Sequence, residues 1–372
     1  MNRYLRAAAL FFVAVLLASC GAATTAAPPA AHTGHATKHA PAPTPLRAGE
    51  RFVNLALPQS YTPAAPNGGT DEYRCFLVDP GQSGRVSLTG TQFQPQNGDI
   101  VHHAIFFMVA ADQVGEARER DANTPGQGWT CFGDAGIGEA RWVGHWAPGT
   151  NETLLDPKLG YDLPPGSHLI MQVHYNLLSA AGSDRSGVRL RVTDRRLEPL
   201  VTEQFFAPVE LPCTASESGP LCDRKAAVND VAKRFGEESR AEVEGLKEHC
   251  GPLKPGPTQR CDMTVPSRFT LHALAGHMHL LGRAIKVELN PGTARAMTLL
   301  DVPRYNFDDQ TLRPLPSPVT VEKGDVVRVT CTHDAGLRAM LPQLRDTPPR
   351  YVVWGAGTAD EMCLGIAVAS AA

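Results

Sequence analysis

Five of the chain's thirteen histidines occupy positions from which they could bind a metal ion. His102 and His103 break the apolar run Ile100-Val101-His102-His103-Ala104-Ile105-Phe106-Phe107. His174 sits in Leu169-Ile170-Met171-Gln172-Val173-His174-Tyr175, and His277 and His279 sit in Gly276-His277-Met278-His279-Leu280-Leu281-Gly282. An imidazole buried among such residues is unfavourable unless its nitrogens find partners, and a metal ion is one partner. Residues two apart on a strand share a face, so His277 and His279 could offer two ligands to one ion. Adjacent His102 and His103 would face opposite ways on a regular strand and reach one ion only across a bulge or a twist. Taken singly, either pair is more often a hydrogen-bonded core feature than a ligand set. His145, His168, His249, His272 and His333 fit no such pattern.

Strands must position these histidines, and from about residue 50 the sequence reads as strands. Arg85-Val86-Ser87-Leu88-Thr89, Gly187–Val192 and Asp325–Thr330 largely alternate apolar and polar residues, the period of a half-buried strand. Turn residues separate them at Asn97-Gly98-Asp99, Pro164-Pro165-Gly166, Asn290-Pro291-Gly292 and Lys323-Gly324-Asp325. The 34 glycines and 31 prolines of the 372 residues suit many short strands better than long helices. One stretch departs from this. Val228, Val231, Ala232 and Phe235 fall at helical spacing, so the charged segment 224–248 predicts a helical hairpin inserted between Cys213 and Cys261. A boundary near 197/198 divides the rest into two β-rich halves, 49–197 and 198–372. A net charge of −3 without a clustered basic face excludes nucleic acid as the expected partner.

The first 20 residues read as an export signal: Arg3 and Arg6, the apolar run Ala7–Leu17, then Leu17-Ala18-Ser19-Cys20. The apolar run is too short for a membrane-spanning helix. The pattern resembles a bacterial lipobox, in which Cys20 would be acylated and anchor the exported protein to a membrane. Residues 21–48, rich in Ala, Pro and Thr, read as a tether in which His32, His35 and His39 are incidental or bind metal loosely. The other eight cysteines form an even set in an oxidising compartment, and so read as disulfides whose pairing spacing alone leaves open. A nested arrangement, Cys222–Cys250 inside Cys213–Cys261, would staple the helical insert to the strands.

The order of the motifs adds more than any one of them. Asp71-Glu72-Tyr73-Arg74-Cys75, Val101-His102-His103, Gln172-Val173-His174-Tyr175, His277–Gly282, Cys331-Thr332 and Gly357-Thr358-Ala359-Asp360-Glu361-Met362-Cys363 follow one another at compatible spacing. Over residues 70–368 the chain resembles the copper type II ascorbate-dependent monooxygenases, the family of peptidylglycine α-hydroxylating monooxygenase and dopamine β-monooxygenase. The resemblance implies a mainly β fold of two antiparallel jelly-roll domains with a cleft between them. It implies two copper ions per chain: His102, His103 and His174 match the ligands of the electron-supplying copper, and His277, His279 and Met362 those of the copper that binds dioxygen. A thioether favours Cu(I) and is a poor zinc ligand, which agrees with that assignment. The family pattern also suggests disulfides Cys75–Cys131 and Cys331–Cys363. Tyr305-Asn306-Phe307-Asp308 looks like a further family signature, structural in role.

The chain departs from the peptide-amidating members where they hold a substrate carboxylate. An arginine, an asparagine and a tyrosine of those enzymes correspond to Ala275, Leu364 and Ile366 here, so peptidylglycine is not the expected substrate. The resulting expectation is a monooxygenase that uses O2 and ascorbate or another external reductant on an unidentified small-molecule or peptide-like substrate. The alternatives are a copper-sequestering surface lipoprotein with the same ligands and a structural or adhesive β protein with vestigial ones.

Overall fold

The computed structural model describes residues 41–252 and 254–371. The export signal, Cys20 and the tether histidines lie outside the described residues. In chain order the first half holds β1 (Glu50–Ala56), β2 (Asp71–Val78), β3 (Val86–Gln94), β4 (Val101–Val109), α1 (Val114–Ala122), β5 (Trp129–Thr130) and β6 (Arg141–Trp146). β7 (Thr153–Leu154), β8 (Leu159–Leu163), β9 (His168–Asn176) and β10 (Gly187–Thr193) follow. Then come β11 (Glu198–Phe206), β12 (Glu210–Leu211), α2 (Arg224–Phe235), α3 (Glu237–Cys250), β13 (Thr258–Thr264) and β14 (Phe269–His277). The remainder is β15 (Gly282–Leu289), β16 (Met297–Val302), β17 (Arg313–Val321), β18 (Val326–His333), α4 (Leu337–Met340), β19 (Val352–Val353) and β20 (Leu364–Ala371). The fold is mainly β, and nearly all strand pairs are antiparallel.

A five-stranded sheet, β5-β2-β9-β4-β6, carries the first histidines. β4 is buried along its whole length because both of its faces are covered. Ala104, Phe106 and Met108 enter the core of the first half, whereas Ile105, Phe107 and Val109 pack on a smaller cluster around the Cys75–Cys131 bridge. That explains a continuous apolar run where a one-sided strand would alternate. A larger sheet runs β1-β10-β3-β8-β11-β20-β14-β17. Its parallel β8–β11 pairing, Glu198↔Leu159 and Pro199↔Gly160, carries the sheet unbroken past residue 198. Ala273 and Val368 from the second half also pack into the first half's core. A four-stranded sheet, β13-β18-β15-β16, covers the second core.

The helical hairpin forms as the spacing predicts. Val228, Val231 and Phe235 of α2 and Val243 of α3 are buried in the second core. Gly236, at φ 97°, makes the sharp turn between the helices, a conformation that a side chain would strain. The nested disulfides are not formed. Cys213 pairs with Cys222 and Cys250 with Cys261, while Cys75–Cys131 and Cys331–Cys363 are both present. The reason is local. Each end of the hairpin meets the chain that adjoins it in sequence: Cys222 turns back on the segment after β12, and Cys250 on β13. Each end is therefore stapled to the scaffold by its own short loop, not to the other end.

Candidate metal centre

His103 and His174 are brought side by side by the register of β4 against β9, and Tyr73 of β2 lies opposite His174 on its other side. The β4–β9 pairing shifts between Val101 (opposite Tyr175) and His103 (opposite His174), so His102 is the extra residue of a bulge. This is the distortion that adjacent histidines need if both are to face one point. The three Nδ1 atoms lie 3.0, 3.1 and 3.3 Å from one another. Three imidazole nitrogens in a triangle cannot all be donor and acceptor to each other at once. The centre of that triangle is roughly 1.8 Å from each nitrogen, close to an ordinary metal–imidazole bond of about 2.0 Å. Among the described residues, these three are the group of His, Cys, Asp and Glu side chains whose geometry could hold a metal.

The support of this cluster is most developed around His174. His174 is fully buried, and its Nε2–H donates to Asp71 Oδ1 at 2.9 Å, which leaves Nδ1 as its ligand atom. Thr358 Oγ1–H and Thr70 Oγ1–H donate to the same carboxylate. Burial would raise the pKa of Asp71, but the His174 and threonine bonds hold it below the usual carboxylate range. The Tyr73 ring stacks on His174 at 4.0 Å, and its hydroxyl donates to the Ala356 carbonyl at 2.7 Å. Burial pushes His103 far below its ordinary pKa, with the neighbouring histidines adding to it. Burial lowers His174 as well, against the pull of Asp71. These imidazoles are therefore neutral, the form that binds a metal.

The second group forms where β14 ends. His277 is its last residue and pairs with Leu364 of β20. Gly276 is required here, since a Cβ would lie 2.6 Å from Ile285 Cγ2 of β15. His279 lies beyond the strand, in the tight connection to β15, so the two histidines do not share one regular strand face. Their ring centroids are nonetheless 5.2 Å apart. His277 Nδ1–H donates to Gln310 Oε1 at 2.6 Å, and His279 Nδ1–H to the Asp360 carbonyl at 3.2 Å. Both Nε2 atoms are thereby left able to bind a metal, and that of His279 is buried with no hydrogen-bond partner. Burial, then the charge of His279, holds His277 at about 3 against the Gln310 bond. The buried Glu361 carboxylate fixes the connection by accepting the backbone N–H of His279 at 2.9 Å and of Leu281 at 2.6 Å.

The two groups meet. The rings of His103 and His277 are 5.5 Å apart. Beside them opens a cavity of about 730 Å³, into which His103, His277 and Met362 all face. Its walls are largely aromatic and aliphatic, among them Phe107, Trp142, Phe206 and Trp354, with Leu246 contributed by α3. Ala275, Leu364 and Ile366 also line it, so no cation stands where the amidating enzymes hold a carboxylate. His145 lines the cavity too, while His333 sits against Glu361, with 3.4 Å between His333 Nε2 and the carboxylate.

Residues 257–366 match the C-terminal domain of the copper type II ascorbate-dependent monooxygenases. That segment belongs to this family. It contains His277, His279, Met362 and the Cys331–Cys363 bridge. The three-histidine cluster lies ahead of the matched segment, so it stands on geometry and on the sequence resemblance. No curated protein matches the chain significantly. The chain is similar to solved structures of an allantoicase (11% identity, 85% of this chain and 89% of that one, TM-score 0.20) and of a Paenibacillus xanthan lyase (10%, 84% and 25%, 0.19). Neither likeness is strong enough to inform fold or function.

The residues present fit copper. The available donors are imidazoles and one soft thioether, and His279 Nε2 is buried with no hydrogen-bond partner. Sequence reasoning missed Asp71, Gln310, Glu361 and Tyr73. Asp71, Tyr73 and Glu361 stand inside motifs that carry the resemblance, whereas Gln310 stands in none.

Proposed function

We propose that the protein is a monooxygenase that hydroxylates a C–H bond with O2, drawing electrons from ascorbate or another external reductant. The observation that carries this reading is the meeting of the two ligand groups at one apolar cavity. His102, His103 and His174 would hold one copper ion, and His277, His279 and Met362 a second. Copper in such sites supplies one-electron redox chemistry and activation of O2. The chain's own residues do the rest. Asp71, Gln310 and the Asp360 carbonyl fix which nitrogen His174, His277 and His279 present. The ring contact of His103 with His277 gives a short path between the groups. The apolar walls exclude water and hold the substrate against Met362 and His277.

The substrate is a largely apolar molecule other than a peptidylglycine, since Ala275, Leu364 and Ile366 offer a carboxylate nothing to bind at that point, although Arg141 lines the cavity elsewhere. Export and anchoring through Cys20 belong to the same reading. Four disulfides among the described residues suit an oxidising compartment. The test is copper loading to saturation, then oxygen uptake with ascorbate and mass-spectrometric detection of hydroxylated product from a panel of apolar compounds. Two coppers bound, with oxygen uptake coupled to product, is the expected result. Two coppers without product from any compound would favour a copper-sequestering lipoprotein, and one copper or fewer at excess metal would remove the two-site reading.

A further inference from the structure

The helical insert reaches the methionine-bearing loop through a buried ion pair. Arg234, in the last turn of α2, donates to Asp360 through both arms of its guanidinium, Nη1 to Oδ2 and Nη2 to Oδ1, each at 2.7 Å. Asp360 is 2% exposed and stands two residues before Met362. Arg350 Nη1 lies 3.4 Å from the same carboxylate, and Asp230 accepts from both arginines at 2.9 Å. The packing around the pair is close. A Cβ on Gly357 would come within 2.7 Å of both Arg234 Nη1 and Asp360 Oδ2.

The loop 356–362 touches both ligand groups. The Ala356 carbonyl accepts from Tyr73, which stacks on His174. Thr358 donates to Asp71, which orients His174. The Asp360 carbonyl accepts from His279, and Met362 faces the cavity. A bidentate, water-excluded arginine–carboxylate pair fixes direction as well as distance.

We infer that the helical insert is a clamp on this loop, with Arg234 as a positioning residue that sets Met362 and couples the two ligand groups. The inference rests on the reading of Met362 as a copper ligand. Arg234 touches neither substrate nor ligand atoms and acts through Asp360. Without it, the loop keeps the weaker hold of Arg350 and of the Gly357 N–H, so the chain has a reason to fold while the loop loosens.

The test uses the full chain and the variants Arg234→Met and Arg234→Lys. In copper-free protein, amide exchange at residues 357–362 should rise at least tenfold in Arg234→Met and by less in Arg234→Lys, whose single ammonium cannot match the fork. After loading with Cu(I), the sulfur signal in X-ray absorption should weaken in Arg234→Met, and Cu(I) affinity at that site should fall at least tenfold. A folded Arg234→Met with wild-type exchange overturns the inference, and so does faster exchange with an unchanged sulfur signal. If Arg234→Met does not fold, wild-type exchange in Arg234→Lys overturns it. A wild-type protein without any sulfur signal would instead remove Met362 as a ligand, a failure of the functional reading that the copper-free exchange data distinguish.

Discussion

Met362 presents a thioether to the cavity at a point where an aliphatic side chain of similar volume would pack as well. Met362→Ile separates these two roles. A volume-conserving swap costs less than about 1.5 kcal/mol, so the melting temperature should move by a few degrees at most. Product formation should be lost, because the soft ligand for Cu(I) is gone. Full copper-dependent turnover in this variant would make Met362 a packing residue and end its role as ligand. Asp71→Asn tests the other group. It keeps the shape beside His174 but removes the charge, so copper affinity at the three histidines should fall by roughly 10- to 100-fold, read by competition with a chelator. The ligand-type residues are legible in the sequence because an imidazole in an apolar strand is conspicuous. The roles of Asp71, Gln310 and Glu361 are not: the first and last stand inside recognisable motifs and Gln310 in none, but nothing in sequence says which imidazole or backbone group each one holds. Asp71 lies 103 residues from His174 and Glu361 lies 82 from His279, and only the tertiary fold joins them.

At the scale of elements, adjacency alone foretells that His102 and His103 require a distortion, but not where pairing will break. The β4–β9 register places it at His102. The helical hairpin is legible for a similar reason: a change of hydrophobic period survives in the sequence whatever packs on it. The disulfides of the insert are not legible. Four cysteines allow three pairings, and the choice depends on how each helix end meets β12 and β13. Peptide mapping of the unreduced protein should yield Cys213–Cys222 and Cys250–Cys261; fragments joining Cys222 to Cys250 would contradict the structure. Replacing Cys250 and Cys261 together by alanine opens a loop of 11 residues, which costs about 3 kcal/mol in the chain-entropy account. The copper spectra should not change, since neither cysteine is near a ligand in sequence or belongs to the loop that carries Met362.

For the molecule as a whole, the buried imidazoles set how stability depends on pH. Burial holds His277 at about 3, holds His145 in the cavity wall at about 4, and lowers His103 and His174. An unfolded histidine titrates near 6.5. As pH falls below that value the unfolded chain takes up protons that the folded chain refuses, so the metal-free protein loses stability between pH 6.5 and about 3. At pH 5 the loss from His277 alone is about 2 kcal/mol, and the other three act in the same direction. Asp71 and Asp360 lie below the usual carboxylate range, so their contribution is lost at lower pH still. The sheet that continues from β8 through β11 to β20, together with Ala273 and Val368 in the first core, makes both halves share this loss. Urea unfolding of metal-free protein at pH 7 and pH 5 should therefore show one transition whose midpoint drops sharply in acid. Copper should raise the midpoint at pH 7 and less so at pH 5, because protons compete for the same nitrogens. Equal midpoints at the two pH values without metal would mean that these imidazoles are not held neutral by the fold, and that the centre is not preformed for a metal.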